Sequence, residues 1–254
     1  MALLKQQNDL LGDAALALSL LTRLPIKIDD AGYARSAQAA WAYPLVGVVS
    51  GIFSCIAVWG AVTLGLPLWC AAIGAIAAGV IVTGAMHEDG LADCSDGFWG
   101  GWDRAMRLLI MKDSQIGTYG VLALFITQAL RFGAIWEILH HENWALTLIA
   151  VHIASRAVMP AVMSALPHAR ESGLSQTVGH VPRAAAVKAA AIGAATLLLG
   201  FGLSGIALCI VAALAAFGVA SLARAKIGGQ TGDVCGASQQ VTEIALLLAI
   251  LAGE

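Results

Sequence analysis

Repeated apolar runs of about 20 residues are the feature that most limits how this chain can fold, because such runs are long enough to cross a bilayer as helices. Hydrophobic residues make up 59% of the chain and charged residues only 12%, whereas a soluble domain has roughly a quarter charged residues. We therefore predict an all-α, polytopic transmembrane helical bundle, with residues 1–254 as a single integral membrane domain. The predicted spans lie near residues 43–65, 67–86, 118–139, 144–166, 185–201 and 205–222.

The two ends of the chain carry weaker apolar segments. Residues 8–24 predict an N-terminal amphipathic helix with Asn8 as its N-cap, ending at Leu24-Pro25. Residues 242–252 form a segment that is short for a full crossing at 1.5 Å per residue. The sequence thus predicts about six to seven membrane segments and leaves open whether the last one spans.

Lysine and arginine alternate between loops, which predicts the orientation of the chain. The N-terminal arm and the loops 87–117, 167–184 and 223–241 carry these residues, while the intervening short loops have none. We expect the N-terminus and the long loops to face the cytoplasm. The net charge of -2 and the lack of a basic stripe exclude a nucleic-acid partner, and the five scattered cysteines indicate neither zinc nor a disulfide framework.

An acidic stretch, "HEDGLADCSDGFWGG", covers residues 87–101 directly after an apolar run. Asp89, Asp93 and Asp96 are spaced i, i+4, i+7 and would share one face of a helix, which the following glycines would end. Oxygen ligands of this kind favour Mg²⁺, with Mn²⁺ as an alternative. Glu88 would point off this face and bind a second ion or only water. A solvated acidic helix end is the alternative interpretation.

A second stretch places cations and a carboxylate near the acidic one. Arg107, Lys112, Asp113 and Ser114 have the chemistry to bind phosphate oxygens. Anchoring of the chain by positive charge at the cytoplasmic surface is the alternative explanation for Arg107.

A third stretch is rich in glycine and includes Gly228, Gly229, Thr231 and Asp233. Its backbone N–H groups could cradle phosphate, although a flexible turn would have the same composition. Inside the spans, Arg156 either reaches a phosphate or pairs with Glu137 or a carbonyl.

Two smaller patterns concern packing. His152 is interpreted as a packing histidine, and Gly47 with Gly51 forms a GxxxG helix-packing face.

Together, the three polar stretches predict a cytoplasm-facing, metal-dependent site for a phosphate-rich substrate inside a helical bundle. This reasoning reaches phosphotransfer or diphosphate chemistry and names no substrate.

Several motifs resemble the cobalamin synthase family, the adenosylcobinamide-GDP ribazoletransferases, over nearly the whole chain. They are "TRLP" (22–25), "YPLVG" (43–47), "HEDGLADCSDGFWGG" (87–101), "IMKDSQIGTYGVLAL" (110–124), "ARESG" (169–173) and "GGQTGDVCGASQQVTE" (228–243). Glu88 departs from the pattern, in which an apolar residue is expected between the histidine and the aspartate.

The resemblance implies a reaction and its participants. α-Ribazole, or its 5′-phosphate, would attack adenosylcobinamide-GDP through the ribose 5′ oxygen, release GMP and form adenosylcobalamin or its 5′-phosphate. Mg²⁺ on Asp89, Asp93 and Asp96 would bridge the diphosphate. Lys112 or Arg107 would neutralise phosphate oxygens. Asp233 or Asp113 would act as general base or complete a second metal site.

The resemblance also implies a bacterial cytoplasmic (inner) membrane location. The expected partners are the two substrates and the lipid bilayer. The resemblance leaves open whether other nucleotide-loop assembly enzymes or a second copy of the chain also bind.

Two alternative functions were weighed. A phosphatidyltransferase acting on CDP-alcohols joins an alcohol to an activated diphosphate, but the arginine of its motif is missing after Asp89-Gly90. A divalent-cation transporter would place its acids near the bilayer midplane, often with inverted repeats; here the acids gather at one face.

Overall fold

The computed structural model describes residues 10–253, so the predicted cap Asn8 lies outside the described part. Every regular element in this part is a helix, and a single isolated parallel bridge joins His168 to Gln230. In chain order the helices are α1 (Leu10–Leu21), α2 (Asp30–Tyr33), α3 (Ser36–Ala39), a 3₁₀ turn (Ala40–Ala42), α4 (Tyr43–Thr63), α5 (Leu68–Thr83), α6 (Met86–Gly100), α7 (Arg104–Ile110), α8 (Thr118–Ile138), α9 (Trp144–Ala157), α10 (Met159–Ala165), α11 (Leu174–Val178), α12 (Arg183–Phe201), α13 (Ser204–Ile227) and α14 (Gly232–Ala252).

The helices confirm a polytopic all-α bundle. Six helical segments of residues 10–253 are long and apolar enough to cross a membrane, and a bent pair, α5 with α6, brings the number to seven. The six are Ser36–Thr63, Thr118–Ile138, Trp144–Ala165, Arg183–Phe201, Ser204–Ile227 and Gly232–Ala252. Five of these contain most of a span predicted from the sequence.

The C-terminal segment differs from its prediction. α14 has 21 residues and begins at Gly232, ten residues before the short segment predicted at 242–252. The prediction was wrong because the first half of α14 carries polar side chains that lower its hydropathy. Ser238, Gln239 and Glu243 are buried and bond to other bundle residues or to each other, so the helix satisfies its polar groups inside the protein.

α5 and α6 meet at a sharp break of 87°. Gly84 and Ala85 both adopt left-handed conformations, with φ of 67° and 60°, and two such residues in succession cannot continue a right-handed helix. The predicted span 67–86 therefore ends at Thr83, and the acidic stretch forms a separate helix. The glycines after Asp96 end this helix, as predicted: α6 continues through Gly97 to Gly100, and Gly101 is its C-cap.

α4 and α9 pack closely through the predicted GxxxG face. A Cβ at Gly47 would lie 2.4 Å from the carbonyl oxygen of His152, and one at Gly51 would lie 2.9 Å from the Cα of Ile149. The ring of His152 lies near Ser50 and Ser54 on α4, which confirms it as a packing histidine.

Gly47→Ala is expected to destabilise the protein by about 2 kcal/mol or more, because the added methyl group overlaps backbone atoms that cannot move freely. Gly60→Ala in the same helix is the matched control, since a Cβ there meets nothing within 4 Å and alanine favours a helix by up to about 1 kcal/mol. Thermal unfolding in detergent should lower the midpoint for Gly47→Ala alone. Equal midpoints for the two variants would contradict the close packing.

A buried charge network joins four helices in the bundle. Arg131 of α8 donates to Glu88 of α6 at 2.9 Å and lies 2.8 Å from Glu243 of α14. Gln240 donates to the same oxygen of Glu88 at 3.1 Å, and Arg156 of α9 donates to the ring and carbonyl oxygen of His152. Two carboxylates thus balance two guanidinium groups away from water, as buried charges require.

Candidate functional site

A cavity of about 150 Å³ opens where α1, α6, α10 and α14 meet the segment 168–178. One wall is apolar and is formed by Leu20, Leu21, Tyr43, Met86, Met159 and Met163. The other carries polar side chains, those of Asp89, His168, Arg170, Ser175, Gln230 and Asp233. A largely apolar pocket with a few convergent polar groups is the usual form of a small-molecule site.

Two carboxylates lie at the polar wall, and a third lies close to them. Asp89 is exposed and lines the cavity together with Asp233, while Asp93 is half-buried one helical turn after Asp89. Asp233 is the charged neighbour that acts most strongly on Asp93, followed by Asp89. The two helices approach closely because Gly90 lacks a side chain: a Cβ there would lie 2.7 Å from the carbonyl oxygen of Asp233. The fold therefore adds Asp233 to the acidic face predicted on α6.

Arg170 is the cation of this wall. Its Nη2 lies 2.8 Å from Oδ2 of Asp233, and its Nε is buried without a hydrogen-bond partner among residues 10–253. Thr231 caps α14 by accepting the N–H of Val234 at 3.3 Å, which directs the positive end of the helix dipole toward the cavity. A spare guanidinium N–H beside a helix N-terminus is suited to phosphate oxygens.

Backbone hydrogen bonds between residues 167–169 and Gln230 fix the polar wall in place. Ala169 donates to the carbonyl oxygen of Gln230 at 2.9 Å, and Gln230 donates to that of Pro167 at 2.8 Å. The Gln230 amide also donates to Nδ1 of His168 at 2.9 Å and accepts the hydroxyl of Ser175. Partial burial, followed by the charge of His180, lowers the pKa of His168. A neutral ring agrees with an Nδ1 that accepts a hydrogen bond.

The two other predicted metal ligands of α6 have protein partners. Asp96 lies on the same face as Asp89 and Asp93, but its two oxygens accept the backbone N–H groups of Gly117 and Gly120 at 2.7 and 2.9 Å. Glu88 points away from this face, as predicted, and one of its oxygens bonds to Arg131. Metal binding by Asp96 and Glu88 stays a prediction, and the structure gives both a role in joining helices.

The second predicted stretch lies apart from the cavity. Lys112, Asp113 and Ser114 are exposed in the turn after α7, and Asp113 accepts the N–H of Gln115 at 3.1 Å. Arg107 donates to three carbonyl oxygens, those of Gly101, Trp102 and Lys226. Its guanidinium thus ties α7 to the end of α13, which differs from the predicted contact with phosphate.

The glycine-rich stretch is a tight turn followed by a helix. Gly228 has a φ of 78° and ends α13, and a Cβ at Gly229 would lie 2.2 Å from the carbonyl oxygen of Pro167. Neither glycine lines the cavity, whereas Thr231 and Gly232 do. Of the roles weighed for Arg156, the structure shows the bond to a carbonyl, that of His152.

Sequence reasoning missed Arg170, His168, Ser175 and Gln230 as site residues. All four lie in long loops that carry positive charge, and two fall within motifs of the resemblance. The positive charge of these loops and the two motifs therefore pointed to the right segments. Only the backbone hydrogen bonds between residues 167–169 and 228–230 show that the two loops form one wall of the cavity.

The donor set fits a divalent cation only in part. Within residues 10–253, no three acidic, histidine or cysteine side chains converge closely enough to hold a metal ion by themselves. Mg²⁺, however, commonly uses one or two carboxylates and takes its other ligands from water and substrate phosphates. Asp89 and Asp93, with Asp233 nearby, suit a site of that kind.

These features define a class of protein. It is a polytopic helical membrane protein whose cavity is lined by acidic residues and one arginine and is suited to a small polar ligand. The cobalamin-5-phosphate synthase family model, CobS, matches residues 13–251. The chain belongs to this family.

Curated relatives agree with the family. A protein of Mesorhizobium japonicum is 42% identical over 241 residues, covering 95% of this chain and 93% of its own length. Proteins of Bradyrhizobium diazoefficiens and Azorhizobium caulinodans are 41% and 42% identical, covering 95% and 97% of this chain and 94% and 97% of their own lengths. All three are named adenosylcobinamide-GDP ribazoletransferase. No solved structure matches the chain.

Proposed function

We propose that this protein transfers α-ribazole, or its 5′-phosphate, to adenosylcobinamide-GDP, releasing GMP and forming adenosylcobalamin or its 5′-phosphate. The observation that carries the proposal is the joint placement of Asp89, Asp233 and Arg170 on one cavity wall in a chain that matches the family over residues 13–251. A negative wall with one cation is suited to a diphosphate that arrives with a divalent ion.

The family description speaks of a cobalamin 5-phosphate. An acceptor that keeps phosphate on its 5′ oxygen has to attack with another ribose hydroxyl, and not with the 5′ oxygen that the resemblance implied. That hydroxyl forms a bond to the phosphorus that carries the cobinamide arm, and the bond from this phosphorus to the oxygen of GMP breaks.

Proton transfer and charge balance divide among the cavity residues. Asp233 takes the proton of the attacking hydroxyl, because Asp113 lies in a turn apart from the cavity and a base must be within hydrogen-bond reach. Arg170 holds Asp233 in position through its Nη2 and offers its Nε to a phosphate oxygen. The N-terminus of α14 adds a fixed positive potential at the same wall.

Asp89 and Asp93 are the residues that would hold Mg²⁺, with Mn²⁺ as a substitute. When bound, the ion neutralises negative charge on the diphosphate and the leaving GMP. Asp96 and Glu88 support this arrangement from the outside, since Asp96 fixes the start of α8 and Glu88 fixes the start of α6.

The charge pattern supports a location in the bacterial cytoplasmic membrane with the N-terminus and the cavity facing the cytoplasm. Lysine and arginine fall in every second loop, and the residues that form the polar wall come from those same loops. Cytoplasmic access also suits a nucleoside acceptor and a donor that carries a nucleotide.

The reaction is tested with purified protein in nanodiscs, supplied with adenosylcobinamide-GDP and α-ribazole. With Mg²⁺ we expect equal amounts of GMP and adenosylcobalamin by chromatography, and with excess EDTA a rate lowered at least about a hundredfold, restored by added Mg²⁺ or Mn²⁺. Folded protein that forms no product with any metal would overturn the function. Full activity in EDTA would overturn only the metal requirement.

A further inference from the structure

His87 is a buried histidine that no part of the proposed chemistry uses. Its side chain is about 1% exposed, and neither Nδ1 nor Nε2 has a hydrogen-bond partner among residues 10–253. An imidazole always carries at least one N–H, so this arrangement leaves a buried donor and a buried acceptor unpaired, which costs free energy in the folded protein.

The same histidine lines the cavity. It stands at the start of α6, two residues before Asp89, and the backbone there is held against α14: a Cβ at Gly236 would lie 3.1 Å from the Cα of His87. The ring is therefore held beside the cavity, with hydrogen-bonding capacity that residues 10–253 leave unused. Polar groups left unpaired in this way inside a native protein call for a partner that arrives from outside.

A second buried histidine shows the contrast. His152 is also almost fully buried, but its Nδ1 lies 3.1 Å from a guanidinium nitrogen of Arg156, and its Nε2 lies 3.3 Å from the hydroxyl of Ser54. The bundle thus satisfies the histidine that packs its core. It leaves unsatisfied the one that faces the cavity.

We infer that His87 hydrogen-bonds the acceptor nucleoside, whose apolar bicyclic base occupies the methionine-rich wall of the cavity. This inference rests on the proposed function. Met86, Met159 and Met163 line the cavity together with Leu20 and Leu21, and thioether sulfurs pack well against aromatic rings. The polar lining side chains of His168, Ser175 and Gln230 already bond each other. The buried unpaired polar groups of the lining within residues 10–253 are therefore His87 and Nε of Arg170, and the proposed function already uses that Nε for a phosphate oxygen.

The test compares His87→Leu with His152→Leu in stability and in binding. We expect His87→Leu to unfold at the wild-type temperature or above, because it removes unpaired polar groups, whereas His152→Leu unfolds at a lower temperature. For His87→Leu the Kd of α-ribazole, measured by titration calorimetry without donor, should rise about 10- to 100-fold. The KM of adenosylcobinamide-GDP should stay within about twofold of wild type.

Two conservative variants identify the nitrogen. The amide of His87→Asn reaches the position of Nδ1, and that of His87→Gln the position of Nε2. Recovery of α-ribazole affinity in either variant supports a hydrogen bond from that position.

Other results overturn the inference. A lower unfolding temperature for His87→Leu with an unchanged Kd for α-ribazole would make His87 a packing residue. A rise in the donor KM alone would assign His87 to the other substrate. The two proposals can fail separately. If wild-type protein binds α-ribazole but forms no product, the proposed function is wrong and the inference about His87 still holds. If the protein forms product but His87→Leu binds α-ribazole like wild type, the inference is wrong and the proposed function still holds.

Discussion

Asp89→Asn and Asp93→Asn are each expected to lower the transfer rate on the order of a thousandfold or more, with little change in stability. Asp89 lines the cavity with Asp233, and Asp93 lies one helical turn after Asp89, near both. An amide removes the charge that a divalent cation needs while keeping the shape of the side chain. Stability should hold or improve slightly, because each change removes repulsion among neighbouring carboxylates. Product formation and thermal unfolding of the same preparations measure the two effects.

Asp103→Asn is the matched control for these variants. Asp103 caps α7 by accepting the N–H of Met106 at 2.9 Å, and asparagine is an equally good cap. We expect its activity to stay within about twofold of wild type. Near wild-type turnover in both Asp89→Asn and Asp93→Asn would show that the acids of α6 do not serve the reaction.

Arg131→Met is expected to lower stability by about 3–5 kcal/mol, the largest change in stability among these predictions. The guanidinium lies between Glu88 and Glu243, which are both buried, and its loss leaves two carboxylates with only one buried guanidinium, that of Arg156, to balance them. Unfolding in detergent, followed by circular dichroism, measures the change.

Arg183→Met, an identical change at an exposed position at the start of α12, should cost little. The double variant Glu88→Leu with Arg131→Met should recover part of the loss, because one carboxylate then faces one guanidinium. It also places an apolar residue at the position where the resemblance leads us to expect one. If Arg131→Met unfolds like wild type, the network does not hold the helices together.

The spans and the acidic face could be predicted because both depend on short-range patterns. Apolar runs located the span helices to within a few residues, except at the C-terminal end, and the spacing of Asp89, Asp93 and Asp96 placed them on one helical face. The start of α14 could not be predicted in this way. Gln239 and Gln240 look like loop residues until their partners Ser155 and Glu88 are known to lie beside them.

The composition of the site was harder to predict than its location. Arg107 and Lys112 have the right charge for phosphate, yet one is used by carbonyl oxygens and the other lies exposed apart from the cavity. Arg170 has the same chemistry and lies beside Asp233. The difference depends on how two loops cross, and that is a long-range property that the local sequence does not carry.

The buried charge network also has a consequence for how the protein is made. Glu88 and Gln240 are 152 positions apart, so the ribosome delivers Glu88 and Arg131 to the membrane long before Glu243 is synthesised. Until α14 is added, Arg131 lacks one of its two carboxylate partners, and the residues that α14 contributes to the cavity are missing. Completion of the charge network and completion of the cavity therefore coincide, because both depend on the last helix to be synthesised.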